Sequence, residues 1–158
     1  MTAGMPASVA AVVAAGRERG VPVEPREFPE GTRTAEDAAA AIGVQVGQIV
    51  KSLAFLVDGR PVMALVSGSN RLDEGCLAAA AGGTEVLRAS AGAVREATGF
   101  AIGGVPPFGH ASAMPCFVDE DLLGYDVVWA AAGTPRHVFP VAPDDLVRAA
   151  GGTVCRLS

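Results

Sequence analysis

Lys51 is the only lysine in the chain; every other basic side chain is arginine. It stands inside the apolar run Ile49-Val50-Lys51-Ser52-Leu53-Ala54-Phe55. Two-residue alternation along a strand puts it on the face of Ile49, Leu53 and Phe55. An ammonium on an apolar face costs free energy unless it meets a partner or opens into a pocket. Desolvation also lowers its pKa, which suits anion binding or proton handling. The competing reading is a lysine near a strand end that snorkels to water.

A second stretch, Gly99-Phe100-Ala101-Ile102-Gly103-Gly104-Val105-Pro106-Pro107-Phe108-Gly109-His110, holds four glycines and two prolines in twelve residues. Neither a helix nor a regular strand runs through such a segment. Its remaining residues are mostly apolar, so it lies against a core. The paired glycines let another backbone or a ligand approach closely. Their N–H groups can face a concavity and bind an anion or a developing oxyanion. The alternative is a plain crossover between two halves of a sheet.

Other chemistry-bearing residues are sparse. His110 closes the glycine-proline stretch and His137 opens a strand; each reads as a base or ligand, or as an ordinary hydrogen-bonded histidine. Asp119, Glu120 and Asp121 read as a solvated acidic turn rather than a metal site. Cys76, Cys116 and Cys155 are odd in number, widely spaced and without a CxxC pair. That argues against a disulfide framework or a structural zinc, and fits a reducing cytoplasm. No Ser-His-Asp or Cys-His arrangement is readable from spacing.

The elements that must position these residues come from a chain of 158 residues, half of them hydrophobic and 18% charged. This is enough for one domain, residues 1–158, with a sizeable core, and excludes a disordered chain. No apolar run approaches the roughly 20 residues of a membrane span. The apolar segment 9–15 lacks a preceding basic residue, so it reads as a helix rather than a signal peptide. A net charge of -5 without a Lys/Arg run argues against broad, non-specific nucleic-acid binding.

Ser8 is positioned to cap a first helix ending near Gly20. Thr34-Ala35-Glu36-Asp37 opens a second helix that stops at Gly43. Residues 48–57 and 61–67 form a hairpin around Asp58-Gly59, apolar on both faces. Further elements are a helix over 73–81, a strand over 84–87, a helix capped by Ser90, and strands over 116–118, 126–132 and 137–141. Pro143 opens a final helix over 144–150, and 153–156 adds an edge strand. Hairpins with irregularly inserted helices predict an α+β domain around a mixed sheet.

Val50-Lys51-Ser52-Leu53, Gly103-Gly104-Val105-Pro106-Pro107-Phe108-Gly109, Ala132-Gly133-Thr134-Pro135 and Pro143-Asp144-Asp145-Leu146 occur in this order and spacing. The ordered set resembles the YbaK family, which includes the editing domain inserted in bacterial prolyl-tRNA synthetases. The resemblance covers residues 34–151. It implies a free-standing α+β domain with a curled mixed sheet that hydrolyses amino acids wrongly attached to tRNA, most often tRNA for proline. It implies no cofactor and no metal. The implied partner is the 3′ acceptor end of an aminoacyl-tRNA, with an aminoacyl-tRNA synthetase as a second candidate and no membrane.

Residue by residue, the resemblance puts Lys51 on the strand lysine that orients the substrate. Gly103 and Pro107 fall on the Gly-x-x-x-Pro motif, whose backbone, with Gly104, holds the aminoacyl group. Gly133, Thr134 and Pro135 fall on the turn at the pocket rim. His110 is the candidate functional histidine, with His137 as the alternative. Val105, Pro106, Pro107 and Phe108 are expected to wall a small stiff pocket. Ser52, Ser67, Asn70 and His110 are expected to offer contacts to a hydroxyl. Serine, threonine and alanine esters are then the candidate substrates, with a tilt toward the two hydroxylated ones. Of the arginines at 71, 88, 95, 136 and 148, Arg71 and Arg136 are expected nearest the pocket. The alternative function is a non-catalytic module that keeps the fold and binds an aminoacyl or nucleotide ligand.

Overall fold

The structure, a computed structural model, describes residues 5–29 and 34–158. Its centre is the hairpin of β2 (Val50–Val57) and β3 (Arg60–Ser67), paired from Val50 with Ser67 to Val57 with Arg60. Asp58 and Gly59 turn the chain with positive φ of 49° and 81°, the geometry that joins twisted antiparallel strands tightly. The ladder grows outward by β4 (Val86–Arg88), antiparallel to β2. On the other side β5 (Cys116–Asp119) runs parallel to β3, and β8 (Thr153–Cys155) runs parallel to β5. A second, antiparallel ladder has the order β1 (Arg26–Glu27), β7 (His137–Val141), β6 (Val128–Ala131). The two ladders touch at one parallel bridge, Ile49 to Trp129. The expected mixed α+β architecture is present, with its strands divided between two ladders rather than gathered in one central sheet.

Alternation assigns the faces of β2. Val50 and Ala54 face the main core with Met63, Leu65, Phe139 and Leu146. Phe55 and Val57 face a second core, closed by Leu77 of α3 (Glu74–Ala81). Helix α2 (Ala35–Ile42) covers Ile49, Trp129 and Val138 with Ala38 and Ala39. It starts where the capping signal puts it, with Thr34 Oγ1 accepting from Asp37 N–H at 3.0 Å. Ser90 caps α4 (Ala91–Thr98) in the same way, and Pro143 is the first residue of α5 (Pro143–Ala150).

Several boundaries differ from expectation for local reasons. Helix α1 (Ala7–Glu18) begins directly after Pro6, whose carbonyl accepts the first helical bond from Ala10 N–H; Ser8 lies within the first turn and caps nothing. Strand β2 begins at Val50 because residues 46–48 coil into a 3-10 turn, fastened by Gln48 Oε1 accepting from Gln45 N–H. The Gln48 side chain then donates to the Val127 carbonyl, and β6 starts one residue later, at Val128 rather than 126. The strand expected from residue 84 starts at Val86, since the Asp58 carboxylate takes the N–H groups of Thr84 and Glu85.

Asp119 is the largest departure. It ends β5 and is 1% exposed, so it is no part of a solvated turn.

Candidate active site

Strand β2 is paired with β3 along its whole length. Its other edge meets β6 only at Ile49 and β4 only from Phe55 onward. Between these points residues 50–53 have no ladder partner on that edge among the described residues. A cleft of about 400 Å3 opens there. Its walls come from Glu36 and Ala38 of α2, residues 49–54, Arg88, Val94 of α4, and residues 129–131 of β6, with Ile102, Gly103 and Val105.

The ladder fixes what this edge presents. Gly68 N–H donates to the Ile49 carbonyl at 2.7 Å, so Ile49 points its backbone toward β3. Alternation then turns the N–H and C=O groups of Val50, Ser52 and Ala54 to the other edge. Ala89 N–H accordingly donates to the Ala54 carbonyl at 3.2 Å. The backbone of Ser52 is thereby aimed into the cleft.

Lys51 is half-buried in the wall, and its Nζ donates to the Asn70 carbonyl at 2.5 Å. Burial pushes its pKa down; Glu36 and Asp119 oppose that shift, and Arg88 adds to it. A single neutral carbonyl leaves two ammonium donors for other groups. Ser52, on the opposite face of the strand, also lines the cleft. Its Oγ is buried and is the one such side-chain atom without a hydrogen-bond partner among the described residues. A buried hydroxyl left unmated costs of the order of 1–3 kcal/mol, a cost that is relieved when the side chain turns toward a group that can mate with it.

The glycine-proline stretch divides. Ile102, Gly103 and Val105 line the cleft. Gly104 is buried against the turn of Gly133 and Thr134, and its N–H donates to the Ala101 carbonyl at 3.0 Å. The donors this loop can turn toward the cleft are therefore those of Gly103 and Val105. Pro106, Pro107 and Phe108 are buried away from the cleft lining, contrary to the expected pocket wall. Phe108 is drawn into the main core, edge-on to Phe139 with centroids 5.9 Å apart and the Arg19 guanidinium over its other side. Val94, Ile102 and Trp129 supply the apolar wall instead.

Ser67, Asn70, His110, Gly133 and Thr134 lie outside the lining, and their polar groups have other partners. Ser67 Oγ donates to the Gly47 carbonyl at 2.7 Å, and Asn70 Nδ2 donates to Asp119 and Asp121 at 2.9 and 2.7 Å. A ring nitrogen of His110 pairs with the Pro106 carbonyl at 2.7 Å. Burial pushes the His110 pKa down, the Pro106 carbonyl opposes this, and Arg19 adds to it. Gly133 is wedged against Ser8 and Val9 of α1. Thr134 Oγ1 pairs with His137 Nδ1 at 2.6 Å, and His137 Nε2 lies 3.8 Å from Glu27. Burial pushes the Cys116 thiol up to about 12, so it stays protonated.

Among the described residues the arginine in the cleft lining is Arg88, not the expected Arg71 or Arg136. Pairing of Arg88 with Phe55 carries it to the end of the gap. Among the described residues of the lining, Lys51 and Arg88 outnumber Glu36, which makes this part of an acidic chain locally cationic. The sequence pattern offers Arg88 only as one of several arginines and gives Glu36 and Trp129 no place at a site. Trp129 is the only tryptophan, which is the one signal that pointed to it.

Residues 29–149 match the sequence profile of the aminoacyl-tRNA editing domain. The chain belongs to that family. Its members' chemistry is removal of an amino acid from tRNA, and this editing domain has the fold to match. A crystal structure provisionally described as a trans-editing enzyme for prolyl-tRNA synthetase superposes with a TM-score of 0.93 at 47% identity, over 98% of this chain and 99% of that one. The protein YwhH of Bacillus subtilis is 32% identical over 120 residues, 76% of either chain. An Enterococcus faecalis protein provisionally named a Cys-tRNA(Pro)/Cys-tRNA(Cys) deacylase, EbsC, is 27% identical over 87% of this chain and 86% of its own. The proline–tRNA ligase of Maridesulfovibrio salexigens is 39% identical over 93 residues, which is 59% of this chain but 16% of the ligase. Among the described residues no helix is long and apolar enough to cross a membrane.

Proposed function

We propose that this protein is a trans-editing deacylase whose core spans residues 34–151. It hydrolyses the ester between a small amino acid and the 3′ end of tRNA for proline or a related tRNA. A synthetase serves as presenting partner for an acidic chain with few cations to hold RNA itself. The observation that carries this reading is the placement of Lys51, Ser52 and Gly103 around one cationic cleft on an open strand edge.

The ester is already activated, so positioning and charge stabilisation supply most of what hydrolysis needs. The Lys51 ammonium attracts the anionic 3′ end and orients the ester. In this reading the N–H groups of Gly103, Val105 and Ser52, all residues of the cleft lining, receive the oxyanion. Water is the nucleophile, with the neighbouring ribose hydroxyl assisting. Because Ser67, Asn70 and His110 are mated internally, the hydroxyl-reading role narrows to Ser52. Serine and threonine are then favoured over alanine, because an unmated polar group discriminates more strongly than a missing methylene.

The test is deacylation of proline tRNA charged with serine, threonine, alanine or leucine, by wild type, Lys51→Met and Ser52→Ala. Lys51→Met is expected to lose at least about a hundredfold in kcat, on the scale of a misplaced reacting group. Ser52→Ala is expected to lose about tenfold on serine and threonine but little on alanine. Equal turnover of all four esters by the wild type refutes the pocket argument. A fully active Lys51→Met refutes the mechanism.

A further inference from the structure

Asp119 has no place in the chemistry above, yet it is a carboxylate 1% exposed. Burying a charge is costly unless its oxygens are satisfied, and here they are. One oxygen accepts Ser67 N–H at 3.0 Å and Asn70 Nδ2 at 2.9 Å; the other accepts Asp121 N–H at 3.0 Å. Ser67 and Asn70 are the two ends of the turn that leaves β3, closed by Asn70 N–H donating to the Ser67 carbonyl at 2.9 Å. One buried carboxylate therefore clamps both ends of this turn. The turn in turn carries the carbonyl that accepts from Lys51 Nζ. Asp121 braces Asn70 from outside at 2.7 Å.

We infer that Asp119 is a positioning residue for Lys51, acting through the turn 67–70 to hold the Asn70 carbonyl, and with it the ammonium, at the mouth of the cleft. Lys51 needs such a device. Its side chain has four rotatable bonds, and no carboxylate is in salt-bridge contact with it among the described residues. A carbonyl fixes the ammonium's place without neutralising it, so the charge stays available to the substrate. A direct ion pair would fix it as well but spend that charge. The charged groups that bear on Lys51 are Glu36 from α2, Arg88 from β4 and Asp119 from β5.

This inference rests on the reading of Lys51 as the substrate-orienting residue, and the test keeps the two apart. Because Lys51 is the only lysine, selective 13C or 15N lysine labelling gives one side-chain NMR signal that reports the ammonium without any assay of activity. Two variants are compared with wild type: Asp119→Asn, which removes the charge and one acceptor, and Asn70→Ala, which keeps the charge and the Ser67 arm but cuts the arm from Asp119 to the end of the turn that carries the Lys51 acceptor. Both are expected to move the lysine signal toward that of a free lysine. Both are also expected to lower kcat by roughly tenfold to a hundredfold, with KM changed far less. A merely structural role lowers the melting temperature but leaves the lysine signal and the kcat of the folded fraction unchanged, and that result overturns the inference. So does an effect confined to Asp119→Asn, because the inferred clamp needs the Asn70 arm that holds the Lys51 acceptor, not the Ser67 arm alone. If Asp119→Asn does not fold, Asn70→Ala alone decides. A moved signal in an enzyme whose Lys51→Met variant is fully active removes the deacylation role of Lys51 and leaves the clamp standing.

Discussion

Replacing Gly104 with alanine tests whether the glycine-proline loop is held by backbone contact rather than by its own sequence. A Cβ on Gly104 sits 2.7 Å from Thr134 Cα, 2.8 Å from the Gly133 oxygen and 2.9 Å from the Gly133 carbon. All three are backbone atoms, so no side chain can swing away. The shortest contact falls about 0.7 Å below the 3.4 Å at which ordinary contact begins. The loop and the turn must therefore part by a comparable distance. Overpacking of this kind costs about 1–3 kcal/mol, or roughly 3–10 °C in melting temperature for a chain of this size. Gly103 and Val105 move with Gly104, so the cleft wall shifts by several tenths of an ångström. A displacement near 1 Å is worth about a hundredfold in rate, so a loss of roughly tenfold to a hundredfold in kcat is expected. The matched control is Gly151→Ala, at the end of α5, with φ of 61° and no atom within 4 Å of the added Cβ. It carries backbone strain of about 1–2 kcal/mol but touches nothing at the cleft. Scanning calorimetry and single-turnover deacylation read both variants. Wild-type kcat in Gly104→Ala, or equal loss in Gly151→Ala, refutes the reasoning.

Further outcomes follow from the same geometry. Cys116→Ala is expected to keep wild-type kcat, because a thiol held near 12 supplies no thiolate at neutral pH; loss of turnover in this variant, together with inactivation of the wild type by a thiol-blocking reagent, points to covalent catalysis instead. His110→Gln is expected to leave kcat within about twofold, since its ring is engaged with Pro106 outside the cleft lining. The same variant should flatten the acid limb of stability. The folded His110 pKa is depressed, so the unfolded chain binds more protons below its ordinary value of 6.5. The stability that His110 contributes is thus present above pH 6.5 and lost as pH falls toward the folded value. Melting temperatures from pH 7.5 to 5 should drop less in His110→Gln than in wild type, and parallel curves would discard this account.

The parts of the fold legible in the sequence are those specified locally. Thr34, Ser90 and Pro143 mark helix starts by chemistry confined to one turn, and Asp58-Gly59 marks the hairpin in two residues. The unusual Lys51 was visible as a charge in an apolar run, and it lines the cleft. What was not legible depends on partners distant in the chain. Asp119 looks like one of three acids in a turn until Ser67 and Asn70, about fifty residues earlier, donate to it. Phe108 looks like a pocket wall until Phe139 and Arg19 are seen to claim its ring. Arg88 became a cleft residue only through its register against Phe55.

The cleft itself is the least legible feature, because it is made by strand pairing that fails to occur. Strand β2 has a neighbour at Ile49 and again at Phe55, and the two ladders diverge between them. Closing that edge with a continuous strand would satisfy more backbone groups, so an open edge is a cost to the fold. The divergence also has a geometric consequence. Lys51 and Ser52 are adjacent in sequence and project to opposite faces of β2, so in a continuous sheet no small molecule could touch both. At an open edge a ligand entering the gap meets residues Lys51 and Ser52 together, with Ser52 Oγ buried behind the wall until its side chain turns outward. On the proposed reading, that is a fit for a narrow group such as one amino-acid ester, with the bulkier tRNA end left outside at Arg88 and Ile102, the latter 57% exposed. The Ile49–Trp129 bridge is the last contact between the two ladders before the gap opens, so the same pairing that ends there leaves the room this reading assigns to the amino-acid ester.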